Sequence, residues 1–171
     1  MKDITKITKD LELAQIGWVV PDIHAAVAFL SNALGIPGFP PPELVRAQDL
    51  NMTYYGEVVN AEWLTTQTYN GSAFIELVQP LSGQSMFHDY LEQHPAGGTQ
   101  HLAFRLPVSD FERITGKLSE EGYALISKVD HPVARMAFFD TTKALGLVTE
   151  IMGITPAGWI ALEQMEKKPV I

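Results

Sequence analysis

Four polar residues stand inside runs of sequence that otherwise resemble apolar strands. They are Gln15, Glu76, His101 and Glu150. Burial of an unpaired carboxylate is costly, so the two glutamates need a partner that neutralises their charge. A divalent cation would do so. An amide oxygen, two carboxylate oxygens and an imidazole nitrogen suit Zn, Co, Ni, Mn or Mg, and an octahedral ion would keep two positions open.

An internal repeat relates these positions to one another. Residues 15–21 match residues 101–107 position by position: polar, branched aliphatic, tiny, aromatic, variable, aliphatic, proline. The last strand-like segments of the two halves, 74–78 and 148–152, also correspond. The duplication pairs the first polar residue with the third and the second with the fourth. All four side chains can therefore converge across a pseudo-twofold axis.

Hydrophobic periodicity predicts the order β-α-β-β-β in each half. The first half is expected to begin with a strand over 11–20 and a helix that is opened by Pro21-Asp22 and ended by Gly35. This helix should turn its periodic apolar residues inward: Ile23, Ala26, Val27, Leu30 and Leu34. After it we expect a rigid loop over 37–42, a strand over 43–47, hairpin strands over 58–69 and 73–78 around an Asn70-Gly71 turn, a turn over 80–84, and a helix over 85–94. Residues 48–57 carry no clear pattern.

The second half repeats this plan after a break at residues 95–98. Its expected elements are the His101 strand ending at Pro107, a helix with a Ser109/Glu112 capping box that buries Phe111, Ile114 and Leu118 and stops at Gly122, and strands over 123–129, 134–139 and 145–152. Helices that cover one sheet face leave the other free to line a cavity. The sequence therefore predicts an α+β fold with the four polar residues facing a central cavity.

Further residues are candidates for substrate binding on the same face. Phe74, Arg105 and Met152 share the strand parity of the polar residues, and Trp63 lies in a neighbouring strand. Arg105 could hold a carboxylate or phosphate group through its planar guanidinium. Each position also has a purely structural interpretation. An aromatic side chain can be packing, an arginine can be a surface residue, and Gln15 or His101 can be a satisfied core residue.

Composition restricts the function classes of the 171-residue chain. Twelve basic against twenty acidic residues give a net charge of -8, and no basic run interleaves with aromatics, which argues against nucleic-acid binding. The absence of cysteine excludes disulfides, thiolate metal sites and cysteine nucleophiles. No stretch approaches the roughly 18 apolar residues of a membrane span. We expect a globular cytoplasmic protein without a membrane partner.

Several of these segments resemble the vicinal oxygen chelate superfamily, which includes glyoxalase I, methylmalonyl-CoA epimerase, extradiol dioxygenases and bleomycin-resistance proteins. The likeness covers roughly residues 11–153 and is nearest to the epimerase branch in the run Phe74-Ile75-Glu76-Leu77 and the run Gly97-Gly98-Thr99-Gln100-His101-Leu102-Ala103-Phe104. The resemblance implies two β-α-β-β-β modules in a cupped mixed sheet, a divalent metal at the four polar residues, and a homodimer.

Three features depart from the epimerase pattern. Epimerases of this type usually have histidine where this chain has Gln15, and the set Gln, Glu, His, Glu resembles eukaryotic-type glyoxalase I. The usual His-Pro-Lys turn before the last strand is Asp140-Thr141-Thr142-Lys143, which bears on coenzyme A specificity. Residues 156–171 have no counterpart. We therefore divide the chain into a lead-in over 1–10, modules over 11–94 and 95–155, and an extension over 156–171.

The resemblance favours a metal-dependent isomerase or lyase that removes a proton next to a carbonyl or thioester. Glu150 is the first candidate for the base, and Glu62 is the second because the hairpin register that decides its direction is open. A lactoylglutathione lyase of the glyoxalase I type and a non-catalytic protein that sequesters a small molecule are the alternatives. Dioxygenase chemistry is disfavoured because that iron site needs two histidines and one carboxylate.

Overall fold

The computed structural model describes residues 11–166, which form one curled mixed sheet with few helices. The ten strands are β1 (Glu12–Val19), β2 (Glu43–Arg46), β3 (Thr53–Tyr54), β4 (Glu57–Val58), β5 (Ala61–Asn70), β6 (Ala73–Gly83), β7 (Gly98–Pro107), β8 (Leu125–His131), β9 (Ala134–Asp140) and β10 (Val148–Ile154). The α-helices are α1 (Ile23–Ala28), α2 (Met86–Gln93), α3 (Phe111–Glu120), α4 (Thr142–Leu145) and α5 (Pro156–Glu166). The predicted lead-in over residues 1–10 lies outside the described residues.

The strand order confirms the predicted duplication. Along the sheet it is β2-β5-β6-β1-β7-β10-β9-β8-β3-β4. Strand β1 runs parallel to β6, β7 runs parallel to β10, and β1 and β7 join the halves in an antiparallel pair at the centre. The fold is therefore the expected α+β arrangement of two modules in a half-barrel, with the equivalent strands at its middle.

Residues 47–59, here called the strap, connect the two ends of this order. The strap leaves β2 at one end of the order, while its strand β3 pairs with β8 near the other end. Tyr55 reinforces that pairing by donating its backbone N–H to the carbonyl of Ile126. Leu50 and Met52 of the strap line the concave face. The segment without a clear sequence pattern thus covers part of the cup.

Helices pack on the convex face, as the strand parity predicts. Helix α1 buries Ile23 in a cluster with Ile75 and Leu77, and α3 buries Phe111 in a cluster with Ile151. Trp18 and Phe104 join these clusters, as expected from their parity. Each burial of a large apolar side chain contributes about 1.5–3 kcal/mol. The strand side chains of the opposite parity form the concave face.

The first helix departs from the prediction near its end. After α1 the chain widens into a π-helical turn, Phe29–Ala33, in which Leu34 donates its N–H to the carbonyl of Phe29. The additional residue in this turn changes the direction of the side chains that follow. Leu34 is consequently 59% exposed, so its predicted inward position is wrong. Gly35 ends the segment at φ 68°, as expected.

Two turns of the first module are also corrected. Asn70 pairs with Ala73, so the two-residue hairpin loop is Gly71-Ser72 and only Gly71 takes a positive φ, as a type II′ turn requires. Residues 80–84 are not a turn, because β6 continues to Gly83. Pro80 is tolerated there because the pairing of β6 with β1 ends at Val78.

Two expectations in the second module fail for local reasons. The Ser109/Glu112 capping box does not form, because Ser109 lies in a 3-10 turn and Glu112 accepts a hydrogen bond from Arg135 at 2.6 Å. The last strand begins at Val148 rather than at residue 145, because one helical turn, α4, comes first and ends at Gly146. No helix within residues 11–166 is long and apolar enough to cross a membrane.

Candidate metal centre

The four polar residues lie on four adjacent strands of the sheet. Gln15 is on β1, Glu76 on β6, His101 on β7 and Glu150 on β10. Gly17 of β1 is in register with both Glu76 and His101, which places the two neighbouring side chains on either side of a residue that has none. The pairing of equivalent strands thus brings the predicted set together on the concave face.

Their polar atoms are in mutual contact. The Gln15 amide donates a hydrogen bond to Glu76 Oε2 at 2.8 Å and lies 3.3 Å from His101 Nε2. The same nitrogen of His101 is 3.3 Å from Glu76 Oε2 and 3.4 Å from Glu150 Oε2. His101 Nε2 is therefore the point on which the other three side chains converge.

Gln100 fixes the orientation of the imidazole. Its side-chain carbonyl accepts a hydrogen bond from His101 Nδ1 at 2.7 Å, and both residues are buried. The edge of the ring also packs against Phe138, with the ring centroids 5.7 Å apart. Because Nδ1 donates to Gln100, Nε2 is the nitrogen that faces the glutamates, and a metal-binding histidine is normally oriented in this way.

Two further residues hold Glu76 and were missed in the sequence. Gln67 donates a hydrogen bond to Glu76 Oε1 at 2.6 Å, and the Thr65 hydroxyl lies 3.4 Å from the same oxygen. Both have the same strand parity as Trp63 along β5, so parity within the predicted hairpin strand could have identified them. Glu76 is thus engaged at both carboxylate oxygens by neutral donors.

Glu150 has a different environment. Only 2% of the residue is exposed, and its one described polar contact within residues 11–166 is the approach to His101. Burial raises the pKa of Glu150 to about 7, and the Glu76 charge adds to this, while the charge of His101 opposes it. For His101, burial lowers the pKa, but Glu76 and Glu150 more than offset that effect and raise it. The site thus contains a carboxyl group that titrates near neutrality.

A cavity of about 220 Å³ opens beside these side chains. Its walls are mainly apolar, and Gln15, Glu76 and Glu150 supply much of its polar lining. Trp63 and Met152 line it, in agreement with their predicted position. The arrangement is an apolar pocket with a few convergent polar groups at its base, which is the usual form of a small-molecule site.

Phe74 and Arg105 lie on the concave face but outside this cavity. They line a separate small cavity that shares Gln15 and Met152 with the main one. Arg105 makes a bidentate ion pair with Glu12, at 3.0 and 3.1 Å. Substrate binding by Arg105 or Phe74 stays a prediction, and the contact with Glu12 already occupies part of the guanidinium.

Glu62 is placed away from the cavity, which corrects its choice as a second base. Its carboxylate pairs with Arg46 at 3.0 Å and accepts a hydrogen bond from Ser82. The reason is the register of β5, in which Trp63, Thr65 and Gln67 line the cavity and Glu62 takes the opposite parity. Of the two candidate bases, only Glu150 lines the cavity.

The donor set fits a divalent cation. His101 Nε2 stands 3.3 and 3.4 Å from the nearest oxygens of Glu76 and Glu150, and neighbouring ligands of an octahedral ion are roughly 3 Å apart. Gln15 directs its amide nitrogen at this cluster, so its amide group would have to rotate to offer an oxygen ligand. Within residues 11–166, however, the His, Cys, Asp and Glu side chains form no ready-made group of three or more around one point. Instead, His101 Nε2 makes separate contacts with Glu76 and with Glu150. Metal binding by these residues therefore stays a prediction.

Comparison with known families decides the classification. A family model described as the Glyoxalase/Bleomycin resistance protein/Dioxygenase superfamily matches residues 14–139. The chain belongs to this superfamily. The match spans three of the four convergent residues, and the glyoxalase-like fold explains why two equivalent modules meet along β1 and β7. A search of curated protein sequences found no match.

Solved structures share the glyoxalase-like fold. A hypothetical protein of Bacillus halodurans C-125 is 25% identical, with a TM-score of 0.58 over 84% of this chain and 94% of its own. Methylmalonyl-CoA epimerase from Mycobacterium tuberculosis is 21% identical, with a TM-score of 0.59 over 90% and 91%. A Streptomyces coelicolor methylmalonyl-CoA epimerase bound to 2-nitronate-propionyl-CoA is 19% identical, with a TM-score of 0.59 over 87% and 99%.

Proposed function

We propose that this superfamily member is a metal-dependent isomerase that moves a proton on the carbon next to a carbonyl or thioester. The observation that carries the proposal is the pair of carboxylates, Glu76 and Glu150, that flank His101 Nε2 at the base of an apolar cavity. A divalent cation bound there would polarise the substrate carbonyl and stabilise the negative charge that develops on its oxygen.

The two glutamates are suited to different tasks. Glu76 accepts hydrogen bonds from Gln15 and Gln67, which fix its position. Glu150 lacks comparable donors among the described residues, and burial raises its pKa to about 7 in the metal-free protein. A cation bound at the neighbouring His101 and Glu76 would lower that pKa and keep Glu150 ionised, which is the form that a base requires. Glu150 is therefore the residue that we assign to remove and return the proton.

The cavity favours a small substrate. Trp63, Met136 and Phe138 form apolar walls, which exclude water from the reacting carbon and strengthen the charge interactions beside it. The structural neighbours that bind coenzyme A thioesters support a thioester as the first compound to test. A homodimer and a cytoplasmic location, expected from the resemblance and the composition, stay predictions.

Solvent deuterium exchange tests this function. The protein is stripped with chelator, reloaded with Co, Mn, Ni, Zn or Mg, and incubated with methylmalonyl-CoA in deuterated water. We expect metal-dependent loss of the proton signal on the carbon next to the thioester. Glu150→Gln should exchange at least about 100-fold more slowly, because general acid–base catalysis contributes about 10²–10⁴-fold. Glu57→Gln, at an exposed position of β4, is the matched control and should match the wild type.

Gln15 favours a second candidate, a lyase of the glyoxalase I type. Its amide contacts both Glu76 and His101, so glutamine occupies a position within the cluster rather than beside it. The hemithioacetal of methylglyoxal and glutathione is the discriminating substrate. Turnover of this compound with no exchange of methylmalonyl-CoA would replace the isomerase by the lyase. Bound metal without turnover of either compound would favour a protein that only sequesters small molecules.

A further inference from the structure

Helix α5 covers one end of the concave face. Its Leu162 lines a second cavity of about 20 Å³ together with Tyr69, Phe74, Ile154 and Arg105. The strand residues of this group share the face of Glu76 and Glu150 and lie closer to one end of the sheet. The helix therefore covers the part of the concave face that extends beyond the four polar residues.

The start of α5 is tightly attached to the turn between β8 and β9. The Thr155 hydroxyl lies within hydrogen-bond distance of the carbonyls of Pro132 and Val133, at 2.9 and 3.1 Å, and accepts a bond from the Gly158 N–H at 3.1 Å. A Cβ atom on Gly158 would overlap the Val133 carbonyl, so the helix approaches as closely as the backbone permits. The position of α5 is thus fixed by main-chain contacts.

Arg105 fixes the middle of the helix. Its guanidinium lies 5.6 Å from the ring centroid of Trp159, a cation–π distance, while it pairs with Glu12 of β1. The arginine that sequence analysis selected for substrate binding therefore also connects α5 to the central strands. Gln15 and Met152 form the wall that the small cavity shares with the main one.

We propose that α5 is a plug that closes this end of the cup, and that Leu162 determines which substrates fit. The assignment of Leu162 to specificity rests on the proposed function. A space of about 20 Å³ holds roughly one water molecule. A substituent of the substrate that extends past Met152 into this space can therefore be no larger than a methyl group. Met152 is a flexible side chain, and additional space behind it would let the two cavities join.

Uptake of an apolar probe tests the plug without catalysis. Leu162→Ala removes three carbon atoms, and engineered apolar cavities of this kind bind benzene. We expect saturable benzene binding in the variant with NMR shifts at Tyr69 and Phe74, which line the small cavity and not the main one, and no shifts at these two residues in the wild type. Ile160→Ala, at a position of the same helix that is 60% exposed, is the control and should behave as wild type. Equal benzene shifts at Tyr69 and Phe74 in all three proteins would overturn the plug.

Substrate selectivity tests the role of Leu162. The measurement compares kcat/KM for thioesters of 2-methylmalonate and 2-propylmalonate, followed by deuterium exchange. We expect Leu162→Ala to raise the propyl-to-methyl ratio by about tenfold or more, because each added methylene changes discrimination by roughly 10–200-fold, and Leu162→Phe to lower it. An unchanged ratio in both variants would overturn the specificity role. If the wild type exchanges neither thioester, the proposed function fails, and the benzene result still decides the plug.

Discussion

The imidazole ring of His101 lies directly over the backbone of Gly17. The two residues are partners in the β1–β7 pair, and a Cβ atom built on Gly17 would overlap Cε1, Nε2 and Nδ1 of the ring. Gly17 is itself buried within β1, where a glycine weakens a strand unless a close approach requires it. The absence of a side chain at residue 17 is therefore what allows His101 to turn Nε2 toward the glutamates.

We predict that Gly17→Ala displaces His101 and lowers metal affinity by at least about tenfold, the lower end of the loss seen when an orienting neighbour is removed. Calorimetric titration with Mn or Co measures this. Gly116→Ala is the matched control, because a Cβ atom there meets nothing within 4 Å. Alanine in that exposed helix interior should stabilise the fold by about 0.5–1 kcal/mol. Equal metal affinity in both variants would contradict the role of Gly17.

Gln67 provides a second test of the site. Its amide donates to Glu76 Oε1, so Gln67→Leu leaves that oxygen with the weaker Thr65 contact. We expect metal affinity to fall by about 10–100-fold, while the free energy of unfolding changes by about 1–3 kcal/mol. Gln93→Leu, at an exposed position of α2, should leave metal affinity unchanged. A normal affinity in Gln67→Leu would show that Glu76 needs no such support.

Local patterns in the sequence predicted most of the fold because they reflect local physics. The repeat of residues 15–21 at 101–107 indicated the two central strands, and parity indicated which side chains share the cup. Parity placed His101 and Glu150 on the same face, the repeat predicted that they converge, and the structure has their strands adjacent and parallel. The periodicity of a strand determines which face of the sheet each side chain takes, and the shared face identified the residues of the site.

Long-range contacts account for what the sequence did not reveal. Glu112 forms a pair with Arg135, which lies on β9, instead of closing a capping box. Glu62 could not be oriented before the register of β5 was known, because a shift of one residue exchanges the faces of a strand. The strap crosses to β8 through pairs such as Thr53 with Lys128, a partner choice that no local pattern encodes.

The convex core supplies a stability prediction. Phe111 is fully buried and packs against Gly153, where a Cβ atom would overlap its ring. Phe111→Ala should lower the free energy of unfolding by about 3–5 kcal/mol. Phe29→Ala, at a position that is 59% exposed, should change it by less than about 1 kcal/mol. Urea denaturation measures both, and similar losses in the two variants would contradict the packing of α3.

The pH dependence of stability should report on His88. Burial lowers the pKa of its imidazole below the usual range, and the nearby Asp89 carboxylate only partly offsets this. Between the unfolded pKa near 6.5 and the lower folded value, the unfolded chain binds more protons, so His88 destabilises the fold as pH falls through this window. Above that window its contribution to the pH dependence vanishes.

We therefore expect His88→Gln to lose less stability than the wild type between pH 7.5 and pH 5.5. The difference should be a fraction of the roughly 1.4 kcal/mol per pH unit of one whole proton, since the ring is part-exposed and screened by solvent. Urea denaturation at the two pH values gives the comparison. His24→Gln, at an exposed position, is the control. Equal losses in wild type and His88→Gln would show that His88 does not resist protonation.

Metal stoichiometry tests the central claim most directly. Chelator-treated protein is dialysed against Mn or Co, and bound metal is measured by elemental analysis in wild type, His101→Ala and His94→Ala. His94 is exposed and lies outside the cluster, so it controls for nonspecific binding by histidine. We predict one metal ion per chain in the wild type and in His94→Ala, and none in His101→Ala. No bound metal in the wild type, or an equal amount in His101→Ala, would contradict the account.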